Sequence, residues 1–255
     1  RKRPLRPRRK DRKVCQTQSG SSIPMTDQLL TEAEMDALRA LDTPTICNAL
    51  EIVAPERRAI GFTTTPLVCP RPELPPIVGY ARTARQRSMR PAQAGIADRV
   101  EYYEYVAEAP GPTIVIIEDI DTQPGYGAFW GEVNSNIHKA IGCLGVITSG
   151  SIRDIPDCAE GFQLLAGNIG PSHAHVHIVD FGGPVNIHGM DVESNDLVHA
   201  DQHGAVVIPI DVARDIPGAA QKIINREAIV LEACKAPGAG IESVKAALAK
   251  AAEYH

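Results

Sequence analysis

Arg153 and Asp154 stand side by side at the end of an apolar run in "GCLGVITSGSIRDIPDC", residues 142–158. On an extended strand, an adjacent cation and carboxylate point to opposite faces. They can serve one site only where the backbone turns, and "TSGS" is a segment able to turn. In such a site Arg153 is a planar fork for a carboxylate, and Asp154 is an oxygen ligand for a hard divalent cation. The structural alternative is a surface ion pair, or Asp154 capping "IPDC", and either contributes little.

A second segment offers complementary chemistry. "DTQPGYGAFWGEVNSNIHKAIGC" is a glycine-bearing loop that leads into a helix from about Gly131. Gly125, Gly127 and Gly131 read G-x-G-x-x-x-G, which misses the dinucleotide-binding spacing. Free backbone N–H groups at a helix start attract an anion all the same, and a small carboxylate suits the turn Gly131–Asn134. A plain strand-to-helix turn is the competing reading. "SHAHVH" places His173, His175 and His177 on one face if extended, where they are either metal ligands or solvated imidazoles. "HADQHG" reads as a hairpin turn through Asp201 and Gly204, with His203 near a site.

The elements that must position these groups follow from local signals. Thr31 and Glu34 form a capping box ahead of the amphipathic "EAEMDALRAL". "DTPTICNALEI" is a second short helix, with Asp42 or Thr43 as N-cap and Pro44 in its first turn. Residues 54–85, rich in Pro, Thr and Arg, read as loops with short strands. Residues 97–109 read as a helix stopped by "PGP", followed by the apolar strand 113–120. Strand, helix from Gly131, and the strand "LGVITSG" make a βαβ unit, so both candidate segments sit at C-terminal strand edges, where open α/β sheets bind ligands. Short strands are expected around "FQLLAG", "HAHVHIVDF" and "PVNIHGM", and two helices after Asp211. The expectation is one α/β domain with a mixed sheet over residues 25–255.

Charge is unevenly distributed along the chain. Residues 1–13 hold nine of the 26 Lys and Arg and one of the 31 Asp and Glu, and residues 14–24 are uncharged. The body from Met25 onward therefore has 17 basic and 30 acidic residues, a balance that offers no broad basic face for nucleic acid. The basic head, residues 1–24, reads as a disordered native extension or as upstream sequence foreign to the natural protein, since Met25 opens a credible start. Six scattered cysteines with no C-x-x-C pair imply reduced thiols rather than disulfides or zinc. No apolar run reaches membrane-spanning length. A soluble, cytoplasmic protein with neither nucleic-acid nor membrane partners is expected.

"GEVNSNIHKAIGCLGVITSGSIRD", followed about forty residues later by "NDLVHADQHGAVVIP", resembles the 4-hydroxy-4-methyl-2-oxoglutarate aldolase family. That family includes the regulator of ribonuclease E activity and proteins mislabelled dimethylmenaquinone methyltransferases. The resemblance runs from Leu41 to Pro209 and is strongest at 131–154 and 196–209. It implies a layered β/β/α swivelling-domain fold, homotrimers or homohexamers, and sites between subunits. It also implies a carbon–carbon lyase of the class II pyruvate aldolase or oxaloacetate decarboxylase type. Such an enzyme uses Mg2+ or Mn2+ and passes through a pyruvate enolate.

Carried over by motif, Asp154 holds the metal directly or through water, and Arg153 contacts substrate oxygens. Gly131, Glu132, Val133 and Asn134 supply N–H groups to the pyruvate carboxylate, with His203 as a further substrate contact. Glu132, His203 or a metal-bound water is the general base. No lysine lies in the matching site segments, so no Schiff base is implied. The alternative function is a non-catalytic, protein-binding regulator like the ribonuclease E inhibitor branch. That branch generally replaces the aspartate kept here as Asp154. A methyltransferase would need a glycine-rich cofactor loop, which is not recognisable here.

Overall fold

The computed structural model describes residues 29–93 and 97–253. The basic head and Met25 lie outside the described residues. Helix α1 (Glu32–Arg39) starts at the expected capping box, with Thr31 Oγ1 accepting from the Glu34 N–H and the Glu34 carboxylate accepting from the Thr31 N–H. Helix α2 (Thr43–Val53) is capped by Asp42, whose carboxylate accepts from the Thr45 N–H at 2.8 Å.

Strand β1 (Ile77–Arg87) begins inside the stretch 54–85 expected to hold loops with short strands, and it runs two residues past it as one long strand. Its arginines disguise it. Arg82 is buried because it donates to the Glu108 carbonyl at 2.7 Å and lies over the Tyr105 ring. Arg85 forms a two-armed pair with Asp180.

Strand β1 pairs in parallel with β2 (Thr113–Asp119), and β2 with β4 (Cys143–Ile152). The short β3 (Ala128–Trp130) takes over the β2 side of β4 at its far end, and β5 (Gln163–Ile169) lines the other side. Antiparallel strands close the sheet: β6 (His177–Phe181) on β1, then the hairpin β9 (Leu197–Asp201) and β10 (Gly204–Ile208) beyond β1. The mixed sheet of the expected fold is present, with eight strands among the described residues.

Strand alternation divides the core between two faces. Ile114, Ile116, Ile147 and Leu165 point to a small second β-layer, the hairpin of β7 (Val185–Ile187) and β8 (Met190–Val192). Val115, Ile117, Val146 and Leu164 point to helices α3 (Arg99–Ala107) and α4 (Glu132–Ala140) around the fully buried Tyr102 and Trp130. Helices α1, α2 and α5 (Ile216–Lys235) cover Val78, Tyr80 and the β9–β10 hairpin. Helix α6 (Ile241–Ala252) packs on α5. The layering is β/β/α.

Candidate functional site

The turn that lets Arg153 and Asp154 share a site lies at Asp154 itself. "TSGS" does not turn, contrary to expectation. Strand β4 runs through it to Ile152, with one extra residue between Thr148 and Ser151 relative to β5. That is a bulge, with the Gly150 N–H returned to Thr148 Oγ1 at 2.9 Å. Past the bulge, the Arg153 N–H donates to the Trp130 carbonyl at 2.9 Å, tying the end of β4 to the end of β3. Asp154 then adopts φ 50°, ψ 36°, a left-handed conformation that Asp and Asn tolerate better than other side chains. Its carbonyl accepts from the Asp157 and Cys158 N–H groups at 2.9 and 3.0 Å, closing a 3-10 turn over Ile155–Asp157. Arg153 Nε consequently lies 3.4 Å from Asp154 Oδ2, with both side chains partly exposed.

The reversal carries the Asp154 carboxylate over Gly131, the N-cap of α4. A Cβ on Gly131 would lie 2.6 Å from Asp154 Oδ2 and 3.2 Å from Arg153 Cγ. Gly131 brings no capping side chain, and the first helical bond is the Ser135 N–H to the Gly131 carbonyl at 3.0 Å. The N–H groups of Glu132, Val133 and Asn134 are thus free at the positive end of the helix dipole. Glu132 and Val133 are exposed on this first turn.

Asn134 faces inward and locks the turn. Its amide donates to the Phe129 carbonyl at 2.5 Å, and its Oδ1 accepts from Arg99 Nη2 and Tyr103 Oη, both at 3.0 Å. One turn later, His138 Nδ1 lies 2.7 Å from the Asn134 carbonyl and Nε2 lies 2.9 Å from Tyr102 Oη. Burial drives its pKa down to about 4, so the ring is neutral and donates from Nδ1. Sequence reasoning missed this support from α3, because nothing in the residue pattern announces that Arg99 and Tyr103 meet Asn134.

The structure brings Arg153, Asp154, Gly131, Glu132, Val133 and Asn134 to one strand edge, and His203 is not among them. Strand β9 is antiparallel to β1, with Ala200 opposite Ile77, so the turn holding His203 projects from the edge where β1 begins. Arg153 follows β4, which runs parallel to β1, and so lies at the opposite edge. At the edge where β1 begins, His203 Nδ1 pairs with Asp201 Oδ1 at 3.0 Å. The other Asp201 oxygen accepts from the Thr43 N–H, and buried His199 bridges Thr43 Oγ1 and the Leu41 carbonyl. The "HADQHG" segment is the hairpin turn expected of it, and these contacts also make it a brace for α2.

"SHAHVH" is not extended either. Ala174 sits at φ 47° in a turn, and His173 and His177 each bond to a nearby backbone carbonyl. The three imidazoles do not share a face.

Among the described residues, no three His, Cys, Asp or Glu side chains cluster as a metal cage. The donor set at Asp154 suits a different kind of ion. Mg2+ keeps several waters and takes one or two carboxylates. Asp154 is a single carboxylate beside an open groove of about 520 Å3 that runs between Asp154–Pro156 and Ile169–Pro171. The glycine beneath it leaves room that any side chain would fill. A more enclosed cavity of about 420 Å3, by Tyr80, Leu197 and Arg57, lies away from these groups. Among the described residues, Arg57 Nε and Asn195 Oδ1, from two of its lining residues, are shut off from solvent without a hydrogen-bond partner.

Known proteins agree with this architecture. Over 107 residues the chain is 31% identical to the uncharacterized protein MJ0644 of Methanocaldococcus jannaschii, a match covering 41% of this chain and 51% of that protein. The chain thus spans about half the length of the curated relative it matches. An uncharacterized protein from Pseudomonas syringae pv. tomato strain DC3000 has a similar structure, with a TM-score of 0.65 at 20% identity, covering 89% of this chain and 99% of that one. So does Streptomyces coelicolor RraAS2, an unusual member of the RNase ES inhibitor RraA protein family, with a TM-score of 0.62 at 22% identity over 78% and 95% of the two chains. At these identities the likeness establishes the fold. No helix among the described residues is long and apolar enough to cross a membrane. The RraA-like (aldolase/RraA) family model matches residues 35–207, well over half of the sequence, and the chain belongs to that family.

Proposed function

We propose that this protein is a divalent-metal-dependent lyase that cleaves a 2-oxo acid, either a 4-hydroxy-4-methyl-2-oxoglutarate-like diacid or oxaloacetate, through a pyruvate enolate. One observation carries the reading: Asp154 is turned over Gly131 so that a carboxylate, the Arg153 guanidinium and a free helix N-terminus meet at one edge. The family holds lyases and ribonuclease inhibitors alike, and a bare protein-docking surface has no need of that convergence.

The N–H groups of Glu132, Val133 and Asn134 take the substrate's 1-carboxylate. Arg153 places its fork on the 2-oxo and carboxylate oxygens and fixes their plane. Asp154 holds the Mg2+ or Mn2+, directly or through water. When bound, that ion supplies Lewis-acid charge to the 2-oxo group. Breaking the C3–C4 bond sends its electron pair toward C2, and negative charge grows on the C2 oxygen. A preorganised Arg153 lowers the barrier because it stabilises that charge more than the ground-state carbonyl.

In aldol cleavage the C4 hydroxyl must lose its proton. Glu132 shares the site's turn and His203 of the same chain does not, so Glu132 is given that role. Loss of carbon dioxide from oxaloacetate needs no such base, so one site serves both reactions. The open side of the groove is left for a neighbouring subunit of a homotrimer or homohexamer.

The test is a panel of 2-oxo acids assayed for pyruvate release with added Mg2+ and with chelator. Metal-dependent release from at least one 4-hydroxy-2-oxo diacid or from oxaloacetate is expected. Release at equal rate in chelator would remove the class II assignment. No release from any of them, together with tight binding to a ribonuclease, would favour the regulator.

A further inference from the structure

A cation from far upstream grips the backbone that follows Asp154. Arg71 lies in the connection before β1, next to Val68, whose N–H and carbonyl pair with Ala166 of β5 at 2.7 and 3.0 Å. Its guanidinium donates to four carbonyls of one loop. Nη1 reaches Ala159 at 2.6 Å and Phe162 at 3.4 Å, and Nη2 reaches Ile155 at 3.0 Å and Cys158 at 2.8 Å. No carboxylate lies within ion-pair distance of Arg71 among the described residues.

The same loop is also held by Ser135 of α4, whose Oγ accepts from the Ala159 N–H at 3.0 Å. Asp154 needs such bracing, because a non-glycine residue at φ 50° persists only where its surroundings over-determine it.

We infer that Arg71 is a positioning residue of the Asp154 site: by gathering the carbonyls of residues 155–162 it keeps the 3-10 turn closed and the Asp154 carboxylate over Gly131. The inference rests on the lyase reading for its functional consequence, but not for the clamp itself. A lysine cannot substitute. Its single ammonium has no rigid fork to reach both pairs of carbonyls at once.

The experiment compares the full-length protein with R71K. It measures Mn2+ affinity by electron paramagnetic resonance, deuterium exchange of amides 153–162, melting temperature, and turnover of whichever 2-oxo acid the parent cleaves. R71K is expected to weaken Mn2+ binding and lower kcat/KM by about tenfold or more, and to speed exchange in that loop alone. A lower melting temperature with Mn2+ affinity and loop exchange unchanged would mean a merely structural arginine and would overturn the inference. Should the parent neither bind Mn2+ nor release pyruvate, the lyase reading fails by itself. Loop exchange then still decides the clamp, with unchanged exchange counting against it. Should R71K not fold, R71Q, which keeps one donor group, is measured in the same way.

Discussion

The Asp154 carboxylate occupies the space where a side chain on Gly131 would begin, with Oδ2 2.6 Å from the position of a Cβ there. Gly131 has φ −172°, extended backbone that any residue adopts, so the glycine serves closeness and not conformation. Gly131→Ala should displace a flexible carboxylate while leaving the helix almost intact. Stability should change by less than about 1 kcal/mol. Mn2+ affinity and turnover should fall about tenfold or more. Melting temperature beside Mn2+ titration checks this, and unchanged affinity would show that the contact has no functional weight.

Asp154→Asn and Arg153→Lys separate a site from a surface ion pair. Asn accepts the left-handed conformation of Asp154 and keeps its shape, but removes a full ligand charge. Lys keeps the charge of Arg153 and loses the fork. For each variant, turnover should drop on the order of 10²-fold, with stability within about 0.5 kcal/mol of the parent. The opposite pattern, a stability loss with normal turnover, would make the pair structural.

His138 gives the fold a predictable weakness in acid. Burial lowers its pKa from the ordinary 6.5 to about 4, so the unfolded chain takes up the proton first as pH falls. Its contribution is complete above pH 6.5, is lost progressively between 6.5 and 4, and is constant below. The loss amounts to about 3 kcal/mol. Burial also lowers the pKa of His199, which acts in the same sense, while the raised carboxyls of Asp119 and Asp196 act in the opposite one. All three are common to parent and variant. Urea unfolding of the parent and His138→Gln from pH 7 to 4.5 should therefore show a flatter acid limb in the variant. Parallel limbs would contradict the assignment.

Much of this site was legible before any fold was known, because its parts are local. Gly131 ahead of a helix, and Arg153–Asp154 after a strand, are each set by a few consecutive residues. What stayed hidden depends on contacts between distant segments. The arginines of β1 argue against a central strand until Glu108, Tyr105 and Asp180 are seen to receive them. His203 joined the candidates by proximity in motif, yet the antiparallel register of β9 against β1 sends it to the far edge. The histidines of "SHAHVH" lose their common face to one residue, Ala174, held at positive φ. Arg71 carries no motif, and its role emerges only with the four carbonyls it gathers.

In the proposed lyase, Asp154 and Arg153 stabilise the enolate of pyruvate. The most direct measurement is proton NMR of pyruvate in D2O with the protein and Mg2+. Metal-dependent exchange of the methyl protons for deuterium is expected, abolished by chelator and reduced to background in Asp154→Asn. Exchange at the parent rate in that variant, or none in a parent that binds Mg2+ and pyruvate, would contradict it.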